Sequence, residues 1–150
     1  MARAAITELI LETSRLDGRL LAAGDALVRD LGLTSARWQV LGAVAMSRVP
    51  LPVSHIARTM GLSRQGVQRV ADELEARGIV RFAPNPHHRR ARLVLLTERG
   101  RALYEAAAER QGPWAAALSD GLPVEAATGL LRALRDRLEG TPAGGDDDEP

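Results

Sequence analysis

Arg64, Gln65, Gln68 and Arg69 lie close together and have the chemistry to read a base edge. Arginine presents a planar fork of donors that matches O6 and N7 of guanine, and glutamine pairs one donor and one acceptor with adenine. All four follow Ser63, whose hydroxyl can accept a hydrogen bond from an orphan amide of a first helical turn, so the residue that starts the helix also places the readers at its front. The surrounding stretch, VSHIARTMGLSRQGVQRVADELEARG, carries apolar residues at Val53, Ile56, Met60, Leu62, Val67, Val70 and Leu74, a spacing that gives two short helices one shared buried face. Ala57 is small enough to let the helices approach, and Gly61 falls where the turn needs positive φ. The pattern is a helix-turn-helix.

Short helical hairpins closed by glycine also occur in folds that never touch nucleic acid, so the residues that follow carry weight. After Gly78 the chain reads IVRFAPNPHHRRARLVLLTERG. Ile79, Val80 and Phe82 form one strand-like run and Leu93 to Leu96 another, with Asn85 and Pro86 ending the first. His87, His88, Arg89 and Arg90 then form a basic hairpin tip. A helix-turn-helix followed at once by such a hairpin is a winged helix, whose tip can reach phosphates or a narrow minor groove beside the major-groove helix.

Charge is distributed accordingly. The net charge is only +1, but residues 54–101 hold ten arginines against four acids (Asp72, Glu73, Glu75 and Glu98), and the remainder holds ten arginines against fifteen acids. A basic middle between acidic ends is the footprint of one module facing a polyanion. All 20 basic residues are arginine, which reads mainly as the coding bias of a GC-rich genome. With no cysteine, the chain has no disulfide, thiol switch or cysteine-ligated zinc. No apolar run is long enough to span a bilayer and residues 1–5 show no secretory pattern, which predicts a cytoplasmic protein.

Catalysis finds no convergent acid, base and nucleophile. The only histidines are His55, His87 and His88, and the adjacent wing pair lacks helical metal-ligand spacing and sits beside two arginines. There is no glycine-rich phosphate loop. The expectation is a non-enzyme without metal or cofactor. The competing reading is a winged helix used as a protein-interaction module, docking an acidic partner without sequence-specific DNA binding.

The flanks add what a winged helix does not need. Ile6, Leu9, Ile10, Leu16, Leu20, Leu27 and Leu31 predict a long amphipathic helix, and Ala127, Leu130, Leu131, Leu134 and Leu138 predict another after Pro123. Their apolar stripes are most simply buried against each other and against a symmetry mate, with Leu9, Leu16, Leu20, Leu130, Leu134 and Leu138 in the interface. Thr97 caps a further helix to about Leu118, which Gly112-Pro113 should kink. The expected plan is one domain over residues 1–139, mainly α with a small β-wing. Its DNA-binding lobe spans about residues 34–97, with dimerisation helices over about 5–31 and 98–139. Residues 140–150 read as a disordered acidic tail.

In this order the elements resemble the MarR (multiple antibiotic resistance regulator) family of bacterial transcription factors over residues 5–139. The resemblance rests on Leu33-Thr34-Ser35-Ala36-Arg37-Trp38-Gln39-Val40-Leu41, Leu74-Glu75-Ala76-Arg77-Gly78-Ile79-Val80, Asn85-Pro86, Arg89-Arg90 and Leu96-Thr97-Glu98-Arg99-Gly100. It implies an obligate homodimer, triangular in outline, joined through its first and last helices and binding a pseudo-palindromic operator. Most members repress nearby genes, and many release DNA when a small, often aromatic, anionic effector enters a cleft. By position, Arg37, Trp38, His55 and Trp114 are the cleft candidates here, although Trp38 also fits the core. One departure is His88, two residues before Arg90, where many members carry an aspartate. The change exchanges a charge-assisted tether for neutral hydrogen bonding, or for a phosphate contact when the imidazole is protonated.

Overall fold

Thr34 begins the fold in miniature: its hydroxyl accepts the Arg37 amide at 3.3 Å, closing the N-terminus of a helix that the preceding glycine turn has aimed inward. The computed structural model describes residues 1–140. Helix α1 spans Ala2–Val28 and tightens into a 3-10 turn at Arg29–Leu31. Helix α2 is Ser35–Met46, α3 Val53–Met60, α4 Arg64–Ala76, α5 Glu98–Ser119 and α6 Val124–Gly140. Strands β1 (Leu51–Pro52), β2 (Val80–Ala83) and β3 (Leu93–Leu96) form one antiparallel sheet in the order β1-β3-β2. The fold is mainly α with a small β-wing, as the sequence predicts.

Three details differ from expectation. Helix α1 starts at Ala2, upstream of its first isoleucine, and its predicted last turn winds as 3-10. The wing gains a third strand, with Leu51 opposite Val94 and Pro52 opposite Leu93. Two residues, one of them proline, are too few to show strand periodicity. Leu62 does not join the core and is 43% exposed, because it follows Gly61 in the turn. Gly61 has φ 64°, and the amides of Gly61 and Leu62 close back onto the carbonyls of Arg58 and Ala57 at 3.3 and 2.9 Å. Met60 packs partly buried against the core.

Val28, Val40, Leu41, Ile56, Val67, Leu74, Val80 and Val94 are fully buried and come from the end of α1 and from α2, α3, α4, β2 and β3. Each such side chain contributes about 1.5–3 kcal/mol through burial, so the core of the helix-turn-helix also fixes the wing root. That root is tight. The Thr97 amide donates to the Ile79 carbonyl at 3.2 Å, its hydroxyl donates to the Gly78 carbonyl at 2.7 Å, and the same oxygen accepts the Gly100 amide at 3.0 Å. Gly100 is required by contact, since a Cβ there would lie 2.0 Å from the Ile79 carbonyl oxygen.

The chain divides into two contact units, residues 1–112 and residues from 113 onward. The boundary falls at Gly112–Pro113, inside α5, whose helix continues through the proline. The first unit holds the winged helix together with α1. In the second, α6 buries none of its residues. The predicted acidic tail lies outside the described residues, apart from Gly140, which closes α6.

Candidate nucleic-acid interface

Helix α4 has two chemically opposite faces. Ser63 caps it by accepting the Gly66 amide at 3.0 Å. Val67, Val70, Ala71 and Leu74 are buried, while Arg64, Gln65, Gln68 and Arg69 are exposed. The helix is therefore held by its underside with its polar side chains turned to solvent.

Not all of those side chains are loose. Gln68 donates its amide nitrogen to Asp72 at 2.8 Å, and Arg69 lies 3.6 Å from Glu73. Glu73 also accepts two hydrogen bonds from Arg37 on α2, at 3.0 and 3.1 Å, which ties the middle of α4 to the neighbouring helix. Among the described residues Arg64 makes no such bond. It shares a groove of about 130 Å³ with Gln68 and Asp72 of α4, Ser54 of α3, and Phe82, Arg90 and Arg92 of the wing. Asp72, Ser54 and Arg92 are groove residues that the sequence does not single out; the i, i+4 spacing of Gln68 and Asp72 is the one signal for the first.

The wing tip is built around Asn85. Its amide nitrogen donates to the Ala91 carbonyl at 2.9 Å while its oxygen accepts the His87 amide at 3.0 Å, so one side chain closes the loop from both ends. His87, His88, Arg89 and Arg90 are exposed. No hydrogen bond joins the His88 ring to Arg90 among the described residues, so the wing arginine has no side-chain tether. Arg92 lies instead over the Phe82 ring, 4.8 Å from its centroid, which anchors one wing guanidinium at the strand.

Of the four cleft candidates, Arg37, Trp38 and His55 belong to the first unit and Trp114 to the second. The Arg37 guanidinium is engaged by Glu73, and Trp38 packs against the core. His55 is exposed on α3, with its Nδ1 3.5 Å from Arg58. Trp114 is half-buried in the second unit. Among the described residues no group of three or more His, Cys, Asp or Glu could hold a metal, and no helix is long and apolar enough to cross a membrane.

Comparison with known proteins agrees with this architecture. The sequence profile of the MarR family matches residues 31–91. An uncharacterised protein of Mycobacterium tuberculosis, Rv2011c, is 36% identical over 133 residues, covering 89% of each chain. The transcriptional activatory protein BadR of Rhodopseudomonas palustris is 35% identical over 88 residues, 57% of this chain and 50% of its own. Among solved structures, the MarR-family regulator Sco5413 of Streptomyces coelicolor is 29% identical with a TM-score of 0.73, covering 95% of this chain and 98% of that one. CouR of Rhodococcus jostii RHA1, solved with p-coumaroyl-CoA bound, is 28% identical with a TM-score of 0.67, covering 89% and 92%. Profile, relatives and fold agree with the split face of α4 and the basic wing: the chain belongs to the MarR family of DNA-binding transcriptional regulators.

Proposed function

We propose that the protein is a homodimeric repressor that occupies a pseudo-palindromic operator and leaves it when a small effector binds. The observation that carries the reading is the division of α4, whose apolar side is fully committed to the core while Ser63, Arg64, Gln65, Gln68 and Arg69 face outward beside an exposed wing tip of His88, Arg89 and Arg90. The helix reads base edges in the major groove, and the wing arginines contact phosphates or the adjoining minor groove.

Dimerisation is supported by apolar surface that a monomer would leave in water. Leu16 and Leu20 on α1 are 53% and 41% exposed, and Leu130 and Leu138 on α6 are 49% and 76% exposed, with Leu9 and Leu134 half-buried. Monomers rarely tolerate such stripes. Two-fold pairing through them sets half-sites about 34–36 Å apart. Repression is the proposed direction because a dimer across a promoter excludes polymerase by occupancy alone, whereas activation needs a further contact surface.

Effector release is supported by CouR's p-coumaroyl-CoA complex and by the position of Arg37. An anion that takes Arg37 releases Glu73, which then pairs more fully with Arg69 and draws a reader back onto its own helix. Such a ligand acts only through preferential binding to the DNA-incompetent form. Selection from random duplex DNA, followed by anisotropy titration of the selected site with p-coumaroyl-CoA as the first probe, tests both halves. A selection that enriches no sequence, with salt-dependent binding to acidic polypeptide instead, turns the assignment to a protein-interaction module.

A further inference from the structure

On a face built to meet a polyanion, Asp72 is out of place by charge. Its neighbour Glu73 is held by Arg37 and approached by Arg69. Among the described residues Asp72 has no arginine partner; its hydrogen bond is with the Gln68 amide, one turn back, at 2.8 Å. Arg64, Gln68 and Asp72 are spaced by four residues and line the same groove between α4 and the wing.

We propose that Asp72 is a positioning residue that fixes Gln68 as a hydrogen-bond acceptor, so that one operator step is read for an exocyclic amine, N6 of adenine or N4 of cytosine. The inference rests on the DNA-reading assignment above and deepens it. An ionised carboxylate only accepts, so the group facing Asp72 is the Gln68 nitrogen and the amide oxygen is turned away from it. A free glutamine is ambidextrous: rotation by half a turn exchanges its donor and acceptor at no chemical cost, and it then tolerates either kind of base edge. With Asp72 in place the reversed orientation sets two oxygens against each other. In the major groove the amines of adenine and cytosine can satisfy an outward acceptor, whereas guanine and thymine present acceptors of their own. Asp72 thereby occupies one of the two N–H donors of Gln68 and fixes which way its oxygen faces, without touching a base.

The test is selection from random duplex DNA with the full chain and the variants Gln68→Ala, Asp72→Asn and Asp72→Glu. Gln68→Ala locates the step by erasing its preference. The wild type should confine that step to adenine or cytosine on the contacted strand, with discrimination of about five- to 150-fold. Asp72→Asn should bring guanine and thymine to near parity there and leave the other steps unchanged, because an asparagine can offer either group to Gln68. Asp72→Glu should retain the wild-type preference. A general rise in affinity on Asp72→Asn follows from removing any negative charge near phosphate, so base preference is the deciding readout. Retention of the wild-type preference in Asp72→Asn overturns the inference while leaving the DNA-reading helix intact, as does a wild-type step that favours guanine or thymine. A wild-type selection with no enriched sequence overturns both.

Discussion

Helices α4 and α6 carry apolar side chains at similar spacing and meet opposite fates. Val67, Val70, Ala71 and Leu74 of α4 are all buried, whereas α6, with Leu130, Leu131, Leu134 and Leu138, buries nothing. Periodicity thus specifies which side of a helix seeks cover but is silent on where the cover comes from. For α4 it comes from its own chain, through α2, α3 and the sheet. On α6 no described residue is fully buried, and a second copy of the chain is the proposed source of cover.

The sharpest way to break this contrast is to charge the exposed stripe. Leu134→Arg combined with Leu138→Arg should leave circular dichroism and the fold of the lobe intact, halve the sedimenting mass, and weaken operator binding by about 10²–10⁴ as bivalency is lost. Unchanged mass would remove α6 from the interface. In the lobe, Leu74→Ala should cost about 2–5 kcal/mol in denaturant unfolding, since the side chain has no access to solvent. A loss near zero would mean that α4 is no better covered than α6.

Smaller effects sharpen the picture at the surface. Arg90→Ala should weaken binding to every sequence and lower the magnitude of the log–log salt slope by about 0.9, the signature of one phosphate contact. An unchanged slope with altered sequence preference would make Arg90 a reader of bases or groove width. The smallest effect concerns Asp30, whose carboxyl is held below the usual aspartate range by a hydrogen bond from Arg110. Its stabilising contribution is present above the unfolded-state pKa and is lost as pH falls through the lowered folded value. Asp30→Asn should therefore flatten the acid limb of a Tm-against-pH profile slightly, and an identical limb would show that the pair contributes nothing.

Much of this architecture was legible because its signals are local. Ser63 as a cap, Gly61 as a left-handed turn and the strand-like apolar runs around Val80 and Val94 each concern residues within a few positions of one another. The missing parts are those that depend on the fold. Strand β1 exists only because Leu51 finds Val94, 43 residues away in sequence. The pairing of Arg37 with Glu73 is not legible because nothing near Arg37 announces a partner 36 positions further along. Gln68 read as a free base reader although Asp72 stood one turn away, since spacing alone shows that two side chains can meet and not that they do.

The knot at Thr97 has a consequence in time rather than in energy. Ile79, Thr97 and Gly100 are tied by the Thr97 amide on the Ile79 carbonyl and by the Thr97 hydroxyl beneath the Gly100 amide, all at the edge of the core, while the loop around Asn85 is closed by that residue's side chain and by the short backbone bonds from His88 to Asn85 and from Ala91 to His88. Amide hydrogen exchange should therefore be graded along the wing, fast at His87 and His88 and slow at Thr97, where release requires opening of the lobe itself. A wing that frays from its tip and never from its root can search for a phosphate on its own fast clock while the reading helix beneath it stays still.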